Sequence, residues 1–191
     1  DELWLNAFSQ GLAAAVAEYR LPLVGGDTTR GPLTISVQVL GALPMDQALL
    51  RSGARVGDGV YVSGTLGDAA GALAFLQEQW QPTPEHAEYL FNRFNRPRAR
   101  LDLGLQLLGR ASAAIDISDG LLADAGHMAA ASGVKICIEP DLLPLSPALS
   151  SHHSRQQILN WALTGGDDYE LCFCLPTGAH APAGSTRIGQ V

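Results

Sequence analysis

The sequence predicts an α+β fold, with helices packed on one face of mixed sheets. Two observations carry this expectation. Apolar residues recur every three or four positions in some segments and alternate in others, which are the periods of helix and strand. The two kinds of segment are also interleaved, with one or two strands between helices. The composition allows a buried core, since 47% of the 191 residues are hydrophobic and 16% charged. That size accommodates one large domain or two small ones.

Taken in order, Leu5, Phe8, Leu12, Val16 and Tyr19 share one helical face, so residues 2–20 form a helix that Pro22 stops. Leu23 and Val24 read as a short buried strand entering a Gly-rich turn. Leu33, Ile35, Val37 and Val39 alternate with Thr34, Ser36 and Gln38, the pattern of a half-buried strand. The stretch from Pro44 to Gly59 has turn residues and little periodicity, and is the best candidate boundary. A strand follows at 60–64, then helices at 69–79, 85–94 and 98–109. A strand at 113–117 leads into a helix from Leu121 to Ala131, ended by Gly133. Further strands are expected at 134–138, 169–175 and 188–191, with a helix at 155–163.

Charge narrows the function classes. Twelve Lys and Arg against nineteen Asp and Glu give a net charge of −7, and the basic residues are scattered. Nucleic acid is therefore excluded as a partner. Nothing approaches a membrane span and no secretory leader opens the chain, so a cytoplasmic protein with no membrane partner is expected. Cys137, Cys172 and Cys174 lack zinc-site spacing and lie in apolar runs, where buried reduced thiols are expected. His152 and His153 read as surface residues of a Ser-rich loop. Arg55, Arg93, Arg96, Arg98 and Arg100 invite a phosphate-patch reading, but four of them cluster around Pro97, where a solvated turn is the commoner explanation. The three Trp read as core or helix-face residues.

Twelve of the nineteen acids are Asp, several of them beside glycine. Three segments stand out: Gly25–Thr29 (GGDTT), Ile115–Gly120 (IDISDG) and Gly165–Glu170 (GGDDYE). Each puts carboxylates at a glycine-rich strand end. Glycine lets a ligand approach the backbone, and Asp supplies hard oxygen ligands for Mg²⁺, which favours one or two carboxylates with water and substrate phosphates. Asp116 and Ser118 are two apart on extended chain and share a face, while Asp119 and Gly120 open a helix whose N-terminus would favour bound phosphate. On spacing alone, a Mg²⁺–phosphate site and plain turn or cap roles are equally good readings. There is no P-loop and no dinucleotide-binding fingerprint.

The strings LVGGDTTRGPLTISVQVLG, LLRSGARVGDGVYVSGTLGDAAGAL, AAIDISDGLLADAGHMAAASG and ALTGGDDYELCF resemble the thiamine-monophosphate kinases, within the aminoimidazole ribonucleotide synthetase superfamily. The resemblance runs along almost the whole chain. It implies a two-domain architecture cut at both ends: residues 1–44 the end of the N-terminal nucleotide- and Mg²⁺-binding domain, 45–56 a linker, and 57–191 most of the C-terminal domain. The implied reaction is phosphorylation of thiamine phosphate by ATP through direct in-line transfer, with a homodimer as the assembly. Carried over by motif, Asp27, Asp116 and Asp119 resemble Mg²⁺ ligands. Gly26, Asp27, Arg51 and Ser118 resemble ATP contacts. Asp116 and Asp119 stand at the catalytic centre, and Asp167 lines the substrate pocket. Asp167 departs from the family, which commonly has Glu there. Other ATP-using synthetases of the superfamily, of selenophosphate or aminoimidazole ribonucleotide type, and a non-catalytic ATP-binding protein remain as alternatives.

Overall fold

The computed structural model describes residues 2–191. The chain divides into two compact units, Asp1–Ala42 and Leu43–Val191.

The first unit holds helix α1 (Glu2–Tyr19), where Trp4 and Phe8 stack with ring centroids 5.3 Å apart. Residues 21–42 contain no strand. The strands expected at Leu23–Val24 and Leu33–Val39 are therefore absent, and Leu23 and Val24 are exposed rather than buried. The alternation at 33–39 is real, but a strand is defined by its ladder, and none of the described residues pairs with this segment.

The second unit is built on strands β1 (Gly59–Ser63), β2 (Ala113–Asp116), β3 (Cys137–Ile138), β4 (Leu171–Leu175) and β5 (Ser185–Gln190), in the order β2-β4-β1-β5-β3. The α+β architecture is as expected, but every pairing is antiparallel, in place of a mixed sheet. Interleaved elements do not reveal strand direction, because neighbours in this sheet are mostly distant in sequence. β4, late in the chain, lies between β1 and β2.

The helices are α2 (Asp68–Leu76), α3 (Pro84–Asn95), α4 (Leu101–Leu107), α5 (Leu121–Ser132), the short α6 (Pro147–Ser150) and α7 (Arg155–Thr164). Strand alternation assigns each residue a face. Val60, Val62, Ile115, Cys172 and Cys174 meet Leu121 and Met128 of α5 in the main core. On the opposite face Phe173 and Leu175 pack with Leu103 and Leu107. Helices thus cover both faces, and α4 is the departure from the one-faced layering expected. A third cluster joins Ala72 of α2, Leu90 of α3, Leu149 of α6 and Ile158 of α7. Three α-helices start at side-chain caps: Thr83, Ser146 and Ser154 accept backbone N–H groups at the starts of α3, α6 and α7.

Two smaller expectations change. The strand expected at 134–138 shrinks to Cys137–Ile138 at the sheet edge, which leaves Cys137 exposed, while Cys172 and Cys174 are buried. Burial drives the Cys172 thiol upward in pKa and pushes Cys174 up to about 12. His153 is half-buried, with its ring edge-on to Trp80 and Trp161 at centroid distances of 4.4 and 4.7 Å.

Candidate functional site

The second and third glycine-acid segments come together because β2 and β4 are antiparallel neighbours, with Asp116 opposite Leu171. The C-terminal end of one strand therefore meets the N-terminal end of the other. Backbone bonds continue the ladder past both strands: Ile117 N–H donates to Glu170 O at 2.8 Å, Tyr169 N–H to Ile117 O at 2.9 Å, and Asp167 N–H to Ser118 O at 3.0 Å. Close approach here requires glycine, since a Cβ on Gly166 would stand 2.5 Å from Ser118 O. Gly120, with φ of 120°, turns the chain into α5 beside Thr164.

Along this edge Ile115 and Ile117 are buried, Asp116 and Asp119 are exposed, and Ser118 is half-buried. Asp167 is exposed as well, so the fold gathers Asp116, Ser118, Asp119 and Asp167 at one end of the sheet. The phenol of Tyr169 reads that field: its pKa is raised first by the charge of Asp167, to whose Oδ1 it donates a 3.2 Å hydrogen bond, and further by Asp116 and Asp119. Asp167 and Tyr169 both have left-handed backbone, φ 64° and 49°, conformations that cost energy for residues with a side chain.

A residue that the sequence reading did not single out holds this arrangement. Asp124, one turn into α5, turns its carboxylate back so that Oδ2 accepts the N–H groups of Ser118, Asp119 and Gly120 at 3.0, 3.0 and 3.1 Å. The three N–H groups leading into the helix are in this way already given to an internal anion. His127 lies one turn further along, and Asp119, Asp124 and His127 each offer a ligand atom within 4.8 Å of the others. The Asp–His spacing of three on a helix was the available signal.

Arg51 is exposed and lies in a segment tied to the start of β2 and the C-terminal end of α5, away from the acidic edge. Leu50 O accepts from Ala114 N–H at 2.8 Å, and Ser132 of α5 accepts from Gly53 and Ala54 N–H at 3.1 and 3.2 Å. Gly26 and Asp27 belong to the first unit, where Asp27 Oδ1 accepts the N–H of Thr28 at 2.8 Å. Both are exposed, and the Asp27 bond reaches only the residue that follows it.

The other two acids of GGDDYE point inward. Asp168 accepts the N–H groups of Gly67 and Ala69 at 2.7 and 3.2 Å, fixing the start of α2, and burial pushes its carboxyl up to about 6 against those bonds. Glu170, fully buried, accepts from Ser63 and from both Arg93 and Arg100, with Arg93 Nη1 at 3.0 Å and Arg100 Nε at 2.6 Å. Asp68, also buried, takes the hydroxyls of Thr65, Tyr89 and Ser146 and lies 3.4 Å from Arg93 Nε. Arg93 and Arg100 are therefore partners of buried carboxylates, which corrects the solvated-turn reading for these two, while Arg96 and Arg98 are exposed. The sequence reading missed Asp68, Asp168 and Glu170 because nothing local distinguishes an acid that turns in from one that turns out.

A chain with this antiparallel sheet and acidic strand edge has the fold of the AIR-synthase-related proteins, and residues 1–43 match the family described as AIR synthase related protein, N-terminal domain. Within that class it is similar along its whole length to thiamine-monophosphate kinases. It is 50% identical to the Salmonella typhimurium enzyme, over 100% of this chain and 59% of the relative. The thiamine-monophosphate kinase structure from Stenotrophomonas maltophilia superposes with a TM-score of 0.92 at 43% identity, covering 100% of this chain and 65% of that one. A third match, AaThiL complexed with AMPPCP and TMP, gives a TM-score of 0.68 at 40% identity over 75% of this chain and 47% of that one. The chain thus spans about three-fifths of the length of the Salmonella relative.

Proposed function

We propose that this chain is the ATP- and substrate-handling part of a kinase that phosphorylates thiamine phosphate to thiamine diphosphate, with Mg²⁺ as cofactor. The observation that carries this reading is the pairing of the DISDG and GGDDYE segments, which sets Asp116, Ser118, Asp119 and Asp167 on one exposed edge. Its support from relatives is the whole-length similarity to thiamine-monophosphate kinases.

In this proposal Asp116 and Asp119, with Asp27 of the first unit, hold Mg²⁺. Exposed carboxylates at strand and turn ends fit a hard cation that keeps several waters and takes substrate phosphate oxygens. Bound there, the metal supplies charge neutralisation between donor and acceptor phosphates. The chain's own residues do the rest. Ser118 and the backbone of Gly26 contact ATP, Arg51 places a guanidinium on its phosphates, and Asp167 contacts the thiamine moiety. The acceptor is itself an anionic phosphate, so little is gained from a general base, and catalysis rests on positioning and electrostatics. Asp124 contributes by holding residues 118–120 in register while keeping their N–H groups from competing for phosphate.

The domain reading belongs to the same proposal: residues 1–44 close the nucleotide-binding domain, 45–56 link, and 57–191 form most of the second domain. So do a homodimer and a cytoplasmic setting; no described helix is long and apolar enough to cross a membrane. The test is a coupled assay of the natural protein containing this chain, with ATP, Mg²⁺ and thiamine phosphate. Turnover is expected to require all three and to be lost in Asp119→Ala and Asp27→Ala, each still folded by circular dichroism. Near-normal turnover in either variant would overturn the assignment. ATP consumption with a different acceptor would favour another synthetase of the superfamily, and ATP binding with no turnover a non-catalytic protein.

A further inference from the structure

Four of the chain's eleven arginines border one cavity. Arg93 and Arg96 come from the end of α3, Arg98 and Arg100 from the connection to α4, and together with Tyr89 and Asn92 they line a space of about 400 Å³. No carboxylate is among its lining residues, in a chain whose net charge is −7. Three acids bonded to its arginines or their neighbours, Asp68, Asp168 and Glu170, are buried. The side chains of Asp68, Asp168 and Glu170 have no exposure, and each is taken up by internal donors: hydroxyls for Asp68, backbone N–H groups for Asp168, and Ser63 with two arginines for Glu170.

Those buried bonds have two effects on the cavity. They fix Arg93, which also donates to Thr65 O at 3.1 Å, and Arg100 in place, so two guanidinium groups are positioned before any ligand arrives. They also leave the carboxylates that pair with Arg93 and Arg100 out of the cavity lining. Burial by itself would lower the pKa of Arg93, but Glu170 and Asp68 outweigh it and hold the guanidinium charged. The buried acids engage Arg93 and Arg100; Arg96 is exposed at the rim and makes no part of that network.

Guanidinium groups carry N–H donors that match the oxygens of phosphate groups, and the Asn92 amide adds another; Arg93 and Arg100 offer only the N–H groups not already given to Glu170 and Thr65, and the Tyr89 hydroxyl is given to Asp68. The volume lies within the range of small-molecule sites and exceeds what one phosphate group fills. We propose that this cavity is a binding site for the phosphate groups of a small phosphorylated molecule or of inorganic pyrophosphate. It is separate from the acidic edge, since Asp116, Ser118, Asp119 and Asp167 take no part in its lining. The site needs no metal, because its cations are side chains, and it stands independently of the kinase reading.

The test is isothermal titration of the chain with pyrophosphate, and in parallel with ADP, in EDTA so that the Asp-rich edge cannot bind through a divalent ion. Saturable binding is expected, weakening as salt is raised. Arg96→Glu is expected to weaken it about tenfold or more, as loss of a charge-assisted contact combined with like-charge repulsion. Asn92→Asp, which puts a carboxylate on the lining, should weaken it in the same direction. Both positions are exposed, and thermal melts establish that the variants fold. Asp119→Ala should leave the affinity unchanged. Equal affinity for pyrophosphate and ADP assigns recognition to the phosphates alone, and tighter binding of ADP assigns the bearer as a nucleotide; both uphold the site. Absence of binding at millimolar ligand, binding indifferent to Arg96→Glu and Asn92→Asp, or binding lost in Asp119→Ala overturns it.

Discussion

Asp167 and Asp168 are neighbours in sequence and opposites in environment. Asp167 projects to solvent beside Asp116 and Asp119, while Asp168 is buried against the start of α2. The alternation continues through the segment, with Tyr169 exposed and Glu170 buried between two arginines. One short string thus serves two regions: an exposed acidic edge open to ligands, and a buried ionic cluster that belongs to the fold. The difference teaches that the exposed edge depends on the buried cluster. Left-handed backbone at Asp167 and Tyr169 is costly, and it persists because the residues between and after them are anchored.

The sharpest way to break this comparison is at Glu170. Glu170→Ala strips two arginines of a fully buried partner, and is expected to destabilise the protein by about 3–5 kcal/mol, the usual cost of breaking a buried ion pair on one side. Urea unfolding measures it, and a loss comparable to that of a surface substitution would show that the cluster does not anchor the segment.

Next comes the helix start. Asp124→Ala leaves three N–H groups without their common acceptor and should cost about 1–3 kcal/mol. Asp119→Ala, five residues earlier and exposed, should cost less than about 0.5 kcal/mol in the same experiment. If the two variants are equally stable, Asp124 is not the structural member of the pair.

A smaller effect is expected in the pH dependence of stability. Asp168 has a carboxyl raised from 3.8 to about 6 in the fold, mainly by burial, so the folded state holds its proton more tightly than the unfolded chain. Its contribution is therefore most favourable below the lower value and declines as pH rises through the upper one. The difference in unfolding free energy between the protein and Asp168→Asn should fall across that window, as read from denaturation curves at successive pH values. No change across it would place the raised pKa elsewhere.

The smallest perturbation is chemical labelling. Cys137 is exposed, whereas Cys172 and Cys174 are buried with their thiols driven upward. A thiol reagent should modify one cysteine in the native protein and all three only after unfolding, as counted by mass spectrometry.

Much of the second unit was legible in the sequence. The helices expected at 85–94, 121–131 and 155–163 are α3, α5 and α7, and Gly133 is the left-handed stop expected, a local signal. The glycine-acid strings marked the candidate edge for an equally local reason, since glycine beside Asp at a strand end is a backbone requirement visible without a fold. Alternation at Leu33–Val39 was legible too, but pairing is not a local property, and the expected strand has no ladder among the described residues. The arginines near Pro97 misled in the other direction. Charged residues at a helix boundary are usually solvated, and only the arrival of Glu170, seventy positions from Arg100, makes Arg93 and Arg100 its partners while Arg96 stays exposed.

By itself the sequence determined the class of elements, the composition of the acidic edge and the likeness to a kinase family, because propensity, capping and glycine placement act within a few residues. Tertiary structure alone decided which strands pair and in which direction, that α4 covers the second face of the sheet, and which acids of GGDDYE face water. The physical reason is the same in each case. Burial and hydrogen-bond partnership are properties of pairs of distant residues, and a carboxylate's fate is set by the donor that reaches it rather than by its neighbours in the chain.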